Sequence, residues 1–146
     1  MTRYILDTDH ITLLQQVHPI LIQRVSAVNP DDISVTVVTV EEQVRGWLNA
    51  IRKTSQSSQP ERLIWAYRGL RDVVLYLSRL NLVDFSEDAY AHYLELRRQR
   101  IRIGTQDLRI AAIVLAENSI LLTRNRRDFV QVPGLVFEDW TEVLHL

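Results

Sequence analysis

The chain has 146 residues, 47% hydrophobic and 24% charged, with 17 basic against 18 acidic side chains and a net charge of −1. That length supports one domain with its own core, and the composition excludes disordered, collagen-like and coiled-coil chains. The absence of cysteine excludes a disulfide framework, a thiolate metal site and a cysteine nucleophile. No apolar run reaches the ~20 residues of a membrane span, and Met1-Thr-Arg-Tyr-Ile-Leu-Asp7 lacks a signal-like apolar region. A cytoplasmic protein is expected. A near-neutral molecule has no long-range attraction to nucleic acid. Yet every basic residue but Lys53 is arginine, and arginines gather at 97–102 and 124–127. Arginine grips phosphate bidentately, so these patches are compatible with RNA, although genome composition produces the same bias.

In chain order, Arg3–Leu6 reads as a short buried strand. Ile33–Val38 is β-branched and follows the turn-formers Asn29-Pro30-Asp31-Asp32, which predicts a second strand. Val40, Val44, Trp47, Leu48 and Ile51 form the apolar stripe of a helix. Thr54–Gln59 is a polar link, and Pro60 opens a long helix to about Leu80, giving a helical pair around 47–80. Leu82-Val83 is a third strand. Ser86 is placed to cap a helix carrying Tyr90, Tyr93, Leu94 and Ile101. Gly104-Thr105 breaks the chain before Leu108–Ala116, apolar nearly all round and hence a central buried helix. Ile120–Leu122 and Leu135–Phe137, the latter after Pro133-Gly134, complete the strands. No repeat or boundary interrupts residues 1–146. Strands alternating with helices predict an α/β fold with a largely parallel sheet covered on both faces.

In such sheets ligands bind beyond the carboxyl ends of the strands, and several polar residues are expected there. Asp7 directly follows the first strand, where it is also placed to cap the next helix. Glu41 and Glu42 follow the second, with Glu42 opposite the apolar stripe. Asp107 lies in the first turn of the buried helix, a position the helix dipole favours by itself. Thr123, Arg124 and Asn125 follow the fourth strand, with Asp128 just beyond. Several acids at one edge repel one another unless a cation neutralises them. All-oxygen donors select Mg²⁺ or Mn²⁺. His10, His18, His92 and His145 have no zinc-binding spacing and are expected at the surface or at helix ends.

Four segments resemble the PIN-domain ribonucleases, specifically the VapC-type toxins of bacterial toxin–antitoxin pairs. They are Tyr4-Ile-Leu-Asp7-Thr-Asp-His-Ile11, Ser34–Gly46 with Glu42 four residues before Gly46, Ile103-Gly104-Thr-Gln-Asp107 through Ala112, and Leu122-Thr123-Arg-Asn125-Arg-Arg-Asp128-Phe129 followed by Val132-Pro-Gly-Leu135. The resemblance spans residues 4–135. It implies a five-stranded parallel sheet in an α/β/α sandwich, Mg²⁺- or Mn²⁺-dependent cleavage of RNA, often tRNA, a homodimer, and inhibition by a VapB-type antitoxin. It also implies Asp7, Glu42, Asp107 and Asp128 as metal ligands, with Thr123 and Asn125 beside them. Asn125 stands where many relatives have aspartate, so Asn125 and Asp128 compete as the fourth residue. Two other readings compete. Asp7-Thr8-Asp9 resembles the acid pair of haloacid-dehalogenase-type phosphatases, and a degenerate PIN fold would serve only as a binding module.

Overall fold

The computed structural model describes residues 2–143, so His145 lies outside it. The elements are β1 (Tyr4–Leu6), α1 (Thr8–Gln15), α2 (Pro19–Ser26), a 3₁₀ turn (Pro30–Asp32), β2 (Ile33–Thr36), α3 (Val37–Thr54), α4 (Pro60–Leu77), β3 (Asn81–Val83), α5 (Glu87–Arg98), α6 (Thr105–Ala116), β4 (Ile120–Leu122), α7 (Arg126–Phe129) and β5 (Phe137–Glu138). The five strands are all parallel, in the order β3-β2-β1-β4-β5.

Side chains alternate across the strands, and the alternation builds three layers. Ile5 and Leu121 join Ala89, Tyr93 and Leu96 of α5 and the apolar residues of α6 on one face. Leu6, Ile33, Val35 and Leu122 join Ile11, Leu21, Val73 and Leu77 from α1, α2 and α4 on the other. The fold is the expected single-domain α/β/α sandwich. Within it, α6 is the buried central helix, with Ile110, Ala111, Ala112 and Ile113 fully enclosed.

Several boundaries differ from the sequence reading, each for a local reason. The second strand stops at Thr36, not Val38. The Thr36 hydroxyl accepts the Thr39 amide (3.1 Å) and caps α3, which overrides the β propensity of Val37 and Val38. The helical pair therefore runs over 37–77 rather than 47–80, with a turn from Ser78 to Leu80. Leu48 leaves the apolar stripe and is half exposed. Ser86 does cap α5, through the Ala89 amide (3.1 Å). That helix ends at Arg98, however: Arg100 is left-handed (φ 58°), and the Ile101 amide returns to the Leu96 carbonyl (3.4 Å). Ile101 thus packs on the core from outside the helix. Gly134 turns with φ 77°, and Leu135 closes that turn onto Val132, so β5 starts at Phe137 rather than Leu135.

Topology decides what this scaffold presents. The chain steps from β1 to β2 and β3 on one side, then returns to place β4 on the other side of β1. The crevice of such a sheet lies where the order reverses, at the carboxyl ends of β1 and β4. Asp7 and Thr123 are the first residues beyond those ends. Among the described residues, no helix is long and apolar enough to cross a membrane.

The long helices α3 and α4 pack closely at Gly69, where a Cβ would overlap the Trp47 ring, itself edge-on to Trp65 at 5.0 Å. Gly69→Ala is therefore expected to lower stability by about 1–3 kcal/mol, read as an earlier denaturation midpoint. Adding Trp47→Leu should recover part of the loss. An unchanged midpoint in Gly69→Ala would show that the ring moves aside without cost.

Candidate functional site

Asp7 is both cap and site residue. Its Oδ1 accepts the Thr8 amide (2.8 Å), ending the strand and starting α1. Its Oδ2 accepts the hydroxyl of Thr123 (2.8 Å), a fully buried residue at the end of β4. Burial, then the nearby charge of Asp9 and more weakly of Asp107, pushes the Asp7 carboxyl up to about 7, against the pull of its two hydrogen-bond donors. An acid at a helix start in water does not behave so.

The other predicted residues converge on the same edge. Asn125 caps α7, its amide nitrogen donating to Asp128 (3.0 Å) and at longer range to Asp107 (3.5 Å), while its own backbone amide donates to Thr123 Oγ1 (3.0 Å). A continuous hydrogen-bonded path thus leads from Asp7 through Thr123 and Asn125 to Asp107 and Asp128. Asp107 is raised by burial first, then by Asp128 and Asp9. Glu42 is raised by burial and by Asp107 and Glu41, while the Thr8 hydroxyl (3.1 Å) holds it down. Its neighbour Glu41 points elsewhere, exposed and paired with Arg45. The structure thus separates the two glutamates, and Glu42 is the one in the site.

Sequence reasoning missed a layer behind these acids. His10, expected at the surface or a helix end, is completely buried. The Trp140 backbone amide donates to His10 Nε2 (3.2 Å), which leaves the proton on Nδ1 to be donated to Asp9 Oδ1 (2.8 Å). The other Asp9 oxygen accepts the Arg124 amide (3.0 Å) and, at 3.4 Å, the Thr123 hydroxyl. Asp9 is therefore engaged by protein donors on both oxygens and fixes the loop after β4. The only sequence signal was the juxtaposition Asp9-His10. Of the other histidines, His18 caps α2 through the Leu21 amide and His92 is exposed on α5, as expected.

The donor set is oxygen only, and the charges that bear on Asp7 and Asp107 are all carboxylates. That chemistry fits a hard divalent cation. Among the described residues no three of these acids are gathered tightly enough to grip one ion as they stand. Asp7 rests instead on the Thr8 amide and Thr123 hydroxyl, Glu42 on the Thr8 hydroxyl, and Asp107 and Asp128 share the side-chain amide of Asn125.

Comparison with known proteins places this arrangement. Residues 4–135 match the PIN domain. The ribonuclease VapC1 of Haemophilus influenzae strain R2866 is 30% identical over 145 residues, covering 95% of this chain and 98% of that protein. The tRNA(fMet)-specific endonuclease VapC of Shigella flexneri is 27% identical over 145 residues, covering 97% and 100%. The solved VapBC-1 of nontypeable Haemophilus influenzae superposes with a TM-score of 0.76 at 28% identity, over 97% of this chain and 100% of that one. A family match over residues 4–135, with a relative 30% identical over nearly the whole length of both chains, means that the chain belongs to the PIN-domain family, among the relatives of the VapC ribonucleases.

Proposed function

We propose that this protein is a metal-dependent endoribonuclease, with tRNA as a candidate substrate, and the toxin of a toxin–antitoxin pair silenced by a VapB-type antitoxin. The observation that carries the reading is the acid cluster at the carboxyl edge of the sheet, in which Asp7 and Asp107 are raised by other carboxylates. Asp7, Glu42, Asp107 and Asp128 are the residues that would hold Mg²⁺ or Mn²⁺. When bound, such an ion supplies an activated water and offsets charge on a phosphoryl oxygen. Thr123 holds the Asp7 carboxylate in place, and Asn125 spans Asp107 and Asp128, which makes Asn125 a clamp and leaves Asp128 as the fourth acid. Arg124 and Arg127, exposed beside the site, suit backbone phosphates and make binding salt-dependent. A cytoplasmic homodimer belongs to the same reading, and Ile64, Tyr67, Val74 and Leu75, half exposed on α4, offer a face for it.

The phosphatase reading is weaker on two counts. Asp9 would have to serve as a free acid, yet both its oxygens are occupied by protein donors. Lys53, the only lysine, lies in the last turn of α3, eleven residues and so about 16 Å along the helix from Glu42. Against the binding-module reading, Asn125 lies within hydrogen-bond reach of both Asp107 and Asp128 and so belongs to the acid cluster.

Asp7→Asn and Asp107→Asn are each expected to abolish cleavage of total RNA in Mn²⁺ while the circular dichroism of the fold persists. Wild-type cleavage by either variant would refute the assignment. Stability in chelator gives a second check. Because the folded state raises the Asp7 carboxyl from 3.8 to about 7, between those values the folded chain keeps a proton that the unfolded chain releases. Stability conferred by this group therefore falls as pH rises through that window. Asp7→Asn removes the penalty and is expected to stabilise the metal-free chain at pH 8 by on the order of 2–4 kcal/mol. The gain should vanish towards pH 4. A melting difference independent of pH would contradict this electrostatic origin.

A further inference from the structure

A pocket whose lining includes Glu41, the chain neighbour of Glu42, is not used by the chemistry above. It measures about 300 Å³ and is formed where the start of α3 faces α5 and α6. Three aromatic rings make its wall: Phe85 stands edge-on to Tyr90 (6.2 Å) and to Tyr93 (6.0 Å), with Tyr90 and Tyr93 6.2 Å apart. Two guanidinium groups lie over the buried Tyr93 ring, Arg97 at 5.7 Å and Arg109 at 5.6 Å from its centroid. Val38 supplies an apolar floor. Tyr90, by contrast, is 51% exposed, so much of this ring remains open to solvent.

The pocket is tied directly to the site. Arg109 donates to Gln106 Oε1 (2.8 Å), and Gln106 donates to Glu41 Oε1 (2.7 Å). Gln106 and Glu41 are the chain neighbours of Asp107 and Glu42. This bridge between α6 and α3 is at once the rim of the pocket and a strut between the two helices that carry those acids. A strand whose phosphate reaches the acids would meet this rim where an adjoining nucleotide runs across α3 and α6.

We propose that the Phe85–Tyr90–Tyr93 pocket is a stacking subsite for a base of single-stranded RNA adjoining the scissile phosphate, with Tyr90 as its platform and Arg109 as its cation. The inference rests on the ribonuclease reading. Aromatic rings take bases of any sequence, because every base has a π face, and arginine adds both cation–π attraction and charge for the strand. A second copy of this chain covering Tyr90 is the competing occupant. A protein interface would leave RNA affinity indifferent to the ring, whereas a stacking platform would not.

The test uses the full chain with Asp7→Asn, which blocks cleavage, and a dye-labelled single-stranded RNA oligonucleotide followed by fluorescence anisotropy. Adding Tyr90→Ala is expected to weaken binding ~5- to 100-fold, while Tyr90→Phe stays close to the parent. A 2-aminopurine base in the RNA should be quenched by the parent and by Tyr90→Phe, but not by Tyr90→Ala. Equal binding by the alanine variant overturns the subsite. So does a loss of dimer in that variant by light scattering with RNA affinity intact. If the otherwise wild-type chain cleaves RNA while Tyr90→Ala binds undiminished, the subsite alone falls. If the chain neither binds nor cleaves RNA, the nuclease reading falls and takes the subsite with it.

Discussion

Asp7, Asp9, Glu42, Asp107 and Asp128 repel one another across the carboxyl edge of the sheet, and the surrounding structure is organised to hold them there. The mutual effect is visible in Asp107, which raises Asp7 and Glu42 and is itself raised by Asp128 and Asp9. Among the described residues, the one basic side chain that bears on Asp7, Glu42 or Asp107 is Arg45, whose pull reaches Glu42 as the smallest of its influences and whose ion pair is with Glu41. Like charges in a partly desolvated cleft cost several kcal/mol. A fold keeps such an arrangement only by surrounding it with compensating dipoles and by leaving room for an external cation.

The parallel sheet supplies the dipoles. The helices after β1 and β4 begin at this edge, and the start of α6, which follows α5, reaches it as well. Asp7 caps α1, Asp107 sits in the first turn of α6, and Asn125 and Asp128 open α7. Each helix N-terminus offers at most ~0.3–1 kcal/mol to an exposed anion, which softens the repulsion and leaves most of it standing. Hydroxyl donors hold Glu42 (Thr8) and Asp7 (Thr123), and the Asn125 amide holds Asp107 and Asp128 together. Behind them, His10 and Asp9 connect Trp140 to the loop after β4, so the segment following β5 braces residues that sit more than a hundred positions earlier in the chain. Rigidity of this kind suits a site whose acids must not drift apart when uncompensated.

Much of this was legible in the sequence, because the strongest signals are local. Apolar runs separated by helical stripes define the alternating fold, and Asp7, Asp107 and Asp128 stand at or just beyond strand or helix ends that the pattern locates, while Glu42 lies in the second turn of α3. The errors arose where a side chain competes with a backbone propensity. Thr36 caps a helix inside a β-branched run, and Arg100 adopts a left-handed turn that expels Ile101 from its helix. The buried His10 was invisible for a different reason. Its partners, Trp140 and the loop at 123–124, are brought to it only by tertiary structure, and a histidine in an apolar segment carries no mark of which contacts it will find. The same holds for the Arg109–Gln106–Glu41 strut, whose ends lie 68 positions apart in the chain.

In the nuclease reading, the acids form one electrostatic unit completed by a divalent ion. Calorimetric titration of Mn²⁺ into the wild-type chain and into Asp107→Asn near pH 8 addresses it directly. Saturable binding by the wild type is expected, weakened about 10-fold or more by the single substitution. No binding to the wild type, or equal affinity in the variant, would mean that these carboxylates are neighbours without a common ion.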